Sequence, residues 1–236
     1  MADAASDGDI PAEIVNFTFP LPKLAEALLG KGPVRIVAIG SSSTAGRGDV
    51  VPYPHRLEMY LRVRYAEEQF PNLKIDVLNR GKGGEEAIEE LVRFEADVFA
   101  ENPSLVIWQV GTNAVFHNYR LDDVAAKIAE GLSLLRDKKM DVVLIDPQYV
   151  PAMLFDGKAE ASERMVSLIS DAAKVAKVNL FRRWALMRHW HVHNDIGFHR
   201  MFDPTDPDQL HQSDWSTLRF AQALRDAITR APPAGA

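Results

Sequence analysis

The sequence predicts an α/β fold: a parallel sheet with helices packed against it. Three observations predict it. Five short apolar runs recur along the chain, the segments between them carry helical periodicity, and neither an internal repeat nor a Gly-, Ser- or Pro-rich linker divides it. Strands alternating with helices of this length imply right-handed βαβ crossovers. A chain of 236 residues can bury one sizeable core without disulfides or a structural metal. The expected organisation is an extended N-terminal arm over residues 1–20, one domain over 21–232, and a frayed tail, "APPAGA".

The predicted strands are "VRIVAIG" (34–40), "LKIDVLNRG" (73–81), "SLVIWQVG" (104–111), "DVVLIDPQ" (141–148) and "KVNLFRRW" (177–184). The first, third and fourth are near-continuous in Val, Ile and Leu, as befits strands covered on both faces. Ile88, Leu91, Val92 and Val98 mark a helical stripe after the second strand. Val124, Ile128, Leu132 and Leu135 mark one after the third, Met165, Leu168, Ile169 and Ala172 one after the fourth, and Phe220, Leu224, Ala227 and Ile228 the last.

Composition removes several function classes. The chain has no cysteine, which excludes thiol nucleophiles, thiolate zinc sites and disulfides. A net charge of -6 argues against nucleic acid, whose binding is carried by clustered Lys and Arg. No apolar run approaches the ~18 residues of a membrane span. The start, "MADAASDGDIPAE", is the reverse of a signal peptide. It equally suits a mature chain with its signal removed, and a periplasmic or secreted location is the expectation.

Ligands of such sheets bind at the carboxyl ends of the strands, so the residues just after each strand carry the information. After the first comes "GSSSTAGRG" (40–48). Its hydroxyls admit three readings: a helix cap, a phosphate cradle, or a nucleophile. The Walker spacing is missing, because five residues separate Gly40 from Gly46 and Arg47 stands where Lys belongs. A serine nucleophile needs a base and a group that orients it. "DQLH" supplies Asp208 and His211 three residues apart. Acyl transfer also needs donors aimed at the oxyanion. "GTN" places Asn113 after the third strand, and "NRGKGG" places glycines after the second. Each segment alone has a plain structural reading as a cap or a turn.

Taken in order, Ser after strand one, Gly after strand two, G-x-N after strand three and D-x-x-H before the last helix resemble the SGNH, or GDSL-type, hydrolase family. The resemblance runs from the first strand to the last helix. It implies a three-layer α/β/α sandwich around a five-stranded parallel sheet, flavodoxin-like in arrangement. It also implies Ser42 as nucleophile, His211 as base and then acid, and Asp208 as its orienting carboxylate. The implied oxyanion donors are the N–H groups of Ser42 and Gly84 and the side chain of Asn113. No cofactor and no metal is implied. The chain departs from the family's Gly-Asp-Ser-Leu motif in reading Gly40-Ser41-Ser42-Ser43, and Ala114 follows "GTN" where the family often has Asp. The G-x-S-x-G elbow of larger hydrolases is also absent, since Thr44 replaces its second glycine.

Two further features stand out. "RHWHVHND" alternates His189, His191 and His193, which in an extended segment would share one face and offer a metal surface; an exposed polar edge or a substrate rim is the favoured reading. Aromatic and Met residues collect in "YVPAMLF" (149–155) and between Trp184 and Phe202, either as core under loops or as walls of a pocket. The expectation is a serine esterase acting on short acyl groups, acetyl first, on a saccharide or another small ester. Family members of this kind are common in bacteria. The rivals are an acyltransferase using the same acyl-serine and a carbohydrate-binding relative without turnover.

Overall fold

The structure is a computed structural model that describes residues 10–30, 32–67 and 72–233. Its centre is a five-stranded parallel sheet of β1 (Val34–Gly40), β2 (Ile75–Gly81), β3 (Leu105–Gln109), β4 (Asp141–Ile145) and β5 (Asn179–Phe181), in the order β2-β1-β3-β4-β5. Every residue of β3 and β4 is buried, and all but Arg35 of β1. The edge strand β2 is half-buried towards its carboxyl end. The predicted strands are therefore present, the first over its full predicted length and the other four shorter at one or both ends.

The helices follow in chain order. Before β1 lie α1 (Ala12–Val15) and α2 (Pro22–Leu29), and between β1 and β2 lie α3 (Ser42–Ala45) and α4 (Tyr53–Leu61). The segment from β2 to β3 carries α5 (Ala87–Val92) and α6 (Phe94–Asp97), and that from β3 to β4 carries α7 (Thr112–Phe116) and α8 (Leu121–Asp137). Then come α9 (Ala159–Ala176) before β5, and α10 (Arg183–Val192), α11 (Phe198–Met201) and α12 (Asp214–Thr229) after it. Helix α12 packs on α4, while α8 packs between α5 and α9. The Val124, Ile128, Leu132 and Leu135 stripe is buried, as its spacing predicts, and so are Met165 and Ile169 of α9. The stripe after β2 is broken: α5 and α6 are short, Ile88 and Val92 are exposed, and Glu90 is buried instead.

The sheet order places the site. The chain leaves β1 in one direction to make β2, then returns past β1 to make β3, β4 and β5. That reversal opens a crevice between the carboxyl ends of β1 and β3, the usual ligand position in such sheets. The "extended" arm is a correction within residues 10–20, since it forms the helical turn α1 and buries Phe17 in the core. The side chain of Asn179 holds it there, accepting from the N–H groups of Thr18 and Phe19 (3.1 and 2.9 Å) and donating to Phe19 O (2.9 Å). Residues 1–9 lie outside the described residues.

Candidate active site

Each of the three adjacent serines after β1 has its own partner. Ser41 is buried, and both its N–H and its hydroxyl donate to Gln109 Oε1 at the end of β3 (3.1 and 3.0 Å). Ser43 faces Gln148 Oε1 after β4 at 3.5 Å. Ser42, first residue of α3, meets His211 Nε2 with its Oγ at 2.9 Å. The hydroxyl cluster is thus split between ties to Gln109 at the end of β3 and Gln148 after β4, and one contact with His211.

The orienting carboxylate is a correction. Asp208 is exposed, and Asp206 sits 2.8 Å from His211 Nδ1 through Oδ2. The reason is local. Residues 206–211 wrap around the Asp206 side chain, whose Oδ2 also accepts the N–H groups of Leu210 and His211 at 2.9 and 2.8 Å. Gln209 takes a left-handed φ of 52° to make that turn, which points Asp208 outwards. A sequence spacing of three suggests Asp208, but the coil reverses within that spacing. Arg47, missed by sequence reasoning, reaches back from the loop after α3 to pair with Asp206 Oδ1. Its Nη1 is also 3.0 Å from His211 Nδ1. With Nδ1 donating to Asp206, the guanidinium hydrogen belongs to the carboxylate, and Nε2 is left as the acceptor facing Ser42.

Burial of Asp206 opposes its ionisation, but the His211 N–H, the Arg47 guanidinium, the His211 ring and the Leu210 N–H outweigh it. Together they hold the carboxyl well below the usual carboxylate range. Asp206 is therefore a fixed anion, and it fits the part of a group that selects one tautomer of His211.

The oxyanion candidates lie in two loops that are tied together. Gly84 has a φ of +81° and closes the turn after β2. A Cβ on Gly83 would stand 3.8 Å from Ser42 Cβ, so this loop runs beside the serine. Asn113 is buried on α7, and its Nδ2 donates to the carbonyl of Glu85, next to Gly84, at 2.7 Å. One amide hydrogen of Asn113 is thereby fixed and the other is left over. Ser42 N–H opens α3, where helical N–H groups have no intrahelical acceptor.

Gln148, one of the residues just after the fourth strand but given no role from the sequence, is fully buried and ties the strand ends to the His211 turn. Its Oε1 accepts from Thr112 Oγ1 (3.0 Å) and its Nε2 donates to Leu210 O (3.1 Å). A polar residue straight after a buried strand was the available signal. The three histidines do not share a face, because they lie on or just after helix α10 rather than on a strand. His189 and His193 stack at 4.9 Å, one helical turn apart, whereas His191 stacks on Phe198 at 3.9 Å. Of the aromatic and Met cluster, Met153, Met187 and Met201 are core, and Tyr149 packs edge-on to Trp184 at 4.9 Å.

A family model described as the non-GDSL lipase-like family matches residues 7–232. The chain belongs to that family. The name suits the Ser41 that replaces the aspartate of the GDSL motif, and the resemblance to SGNH-type esterases holds with that difference. No curated protein matches the chain in sequence. Among solved structures it is similar to Axe2, an acetylxylan esterase from Geobacillus stearothermophilus, with a TM-score of 0.69 and 19% identity over 83% of this chain and 94% of that one. It is also similar to LAE5, an α/β hydrolase enzyme from the metagenome of Lake Arreo, Spain (TM-score 0.69, 17% identity, 88% and 100% covered). These likenesses establish the three-layer fold of this member of the non-GDSL lipase-like family. Axe2 variants that lack a serine, an aspartate or a histidine are described as catalytic mutants, and that aspartate and histidine stand three positions apart. Asp208 and His211 have the same spacing, so the contact with Asp206 is a point on which this chain differs from the simple alignment.

Proposed function

We propose that this protein is a serine esterase that removes short acyl groups, acetyl in the first place, from a saccharide through an acyl-Ser42 intermediate. The observation that carries the reading is the hydrogen-bonded line Ser42 Oγ–His211 Nε2 and His211 Nδ1–Asp206 Oδ2, at 2.9 and 2.8 Å, set at the crevice between β1 and β3. Ser42 Oγ attacks the ester carbonyl while Nε2 takes its proton. The carbonyl oxygen becomes an oxyanion, received by the N–H groups of Ser42 and Gly84 and the spare hydrogen of Asn113 Nδ2. Protonated His211 gives the proton to the departing alcohol, leaving acyl-Ser42. Water, deprotonated by the same Nε2, then releases the carboxylic acid and restores the hydroxyl. Asp206 stays ionised throughout and favours the imidazolium that forms. Acetylated saccharide is the preferred substrate because Axe2, similar in fold over most of both chains, is an acetylxylan esterase.

The test is acetate release from acetylated xylo-oligosaccharides and nitrophenol release from short aryl esters, compared with Ser42→Ala. The wild-type protein turns both over and the variant neither. Equal rates for the two proteins would remove Ser42 from the reaction, and turnover of aryl esters alone would remove the saccharide.

A further inference from the structure

Glu86 sits where a charge run would ordinarily face water. "GGEEAIEEL" carries four glutamates after β2, yet Glu86 is only 1% exposed. Its carboxylate is committed to backbone. Oε1 accepts the N–H of Gly111 at 2.8 Å and that of Ala87 at 3.0 Å, and Oε2 accepts the N–H of Ala114 at 2.9 Å. Burial pushes its pKa up while these three N–H groups oppose the rise, and buried Glu90, with the Glu86 charge nearby, is pushed up further. Burying a carboxylate is a poor way to stabilise a fold. What this one does is geometric. Gly111 and Ala114 bracket Asn113, and Gly111 is at a left-handed φ of +87°, so the turn has no side-chain cap of its own and takes its acceptor from Glu86. The Asn113 side chain is held from the same segment through Glu85 O.

We infer that Glu86 is a positioning residue for the oxyanion hole: it fixes the Gly111–Ala114 turn, and through it the aim of Asn113. This rests on the esterase reading and on Asn113 as an oxyanion donor. Gln at this position keeps the shape, but whichever way its amide turns, an NH2 group faces at least one of the three backbone N–H donors. The bonds that bracket Asn113 are then no longer all made.

The experiment is a double-mutant cycle on a short aryl ester with Glu86→Gln, Asn113→Ala and the pair, each assayed below its melting transition, with Glu86→Ala as the harsher companion. Asn113→Ala lowers kcat by about a hundred- to a thousandfold with little change in KM. Glu86→Gln lowers kcat by up to about a hundredfold, again with KM unchanged, the usual loss for a catalytic group misplaced by about an ångström. The decisive arm is the pair, which is no slower than Asn113→Ala alone, because Glu86 acts through Asn113. Losses that multiply in the pair overturn the role of Glu86 and leave the oxyanion hole standing. A Glu86→Gln variant that melts lower but keeps kcat overturns it too, since its effect is then on stability only. An unimpaired Asn113→Ala removes both, and a wild-type protein inert towards the ester removes the esterase reading with them.

Discussion

The Asp206 carboxylate takes hydrogen bonds from Leu210 N–H, His211 N–H and His211 Nδ1, and pairs with Arg47, whereas Asp208 stands in water. Substitutions at these two aspartates therefore have opposite outcomes. Asp206→Asn is expected to lower kcat by about three to four orders of magnitude, because an amide can hold the wrong imidazole tautomer. Asp208→Asn is expected to change stability by no more than about 0.5 kcal/mol and the rate hardly at all. Steady-state kinetics with thermal melting on the two variants checks this, and the reverse pattern would restore the D-x-x-H reading. The meeting of Ser42 with His211 was legible because each follows or precedes a strongly patterned element. The carboxylate that meets His211 was not, since a left-handed residue inside a coil, Gln209, decides which of two nearby aspartates faces the ring. The partners of Arg47 and Gln148 were not legible for a related reason: their contacts with the 206–211 turn span 164 and 62 residues of chain.

Helix α3 is a single turn that carries Ser42, and its seat is set by two glycines. Gly46 leaves it at a φ of +94°, and a Cβ there would stand 2.4 Å from Pro52 Cγ. Gly81, the last residue of β2, passes so close beneath the helix that a Cβ would come within 2.1 Å of Ala45 N. That neighbour is backbone and cannot swing aside. Gly81→Ala is therefore expected to cost about 1–3 kcal/mol, as overpacking does. It also moves Ser42 relative to His211, so kcat falls in a protein still folded at assay temperature. A variant with wild-type melting and kcat would show that α3 tolerates the shift. Elements with a continuous stripe, α8 above all, were readable from spacing. Helix α10 was not: its alternating histidines mimic a strand, and the structure instead buries Arg183, Trp184, Leu186, Met187 and Trp190 at helical spacing.

Across the whole molecule, two buried aspartates make stability depend on pH in opposite ways. Asp206 is held below its ordinary pKa, so its contribution is fully present above about pH 4 and is lost as pH falls through the folded value. Asp146, at the end of β4, is raised to about 7, first by burial, against the Trp184 N–H and the charge of Arg183. The folded chain keeps a proton there that the unfolded chain has released, so stability falls as pH rises from about 4 towards 7 and levels above it. Asp146→Asn keeps an acceptor for Trp184 N–H and is expected to flatten the decline in melting temperature between mildly acidic and mildly alkaline buffers. An unchanged slope would mean that Asp146 is ionised in the folded protein. The sheet and its helices were legible at this scale because apolar runs and parallel crossovers allow few topologies. The docking of residues 10–20 was not, as it depends on one distant side chain, Asn179.

The central claim is that Ser42, out of three adjacent serines, is activated as a nucleophile. Its most direct measurement is a fluorophosphonate probe followed by peptide mass spectrometry. One adduct per chain is predicted, located on Ser42 and absent from Ser42→Ala. An adduct on Ser41 or Ser43, or none under conditions that label a control esterase, would contradict it.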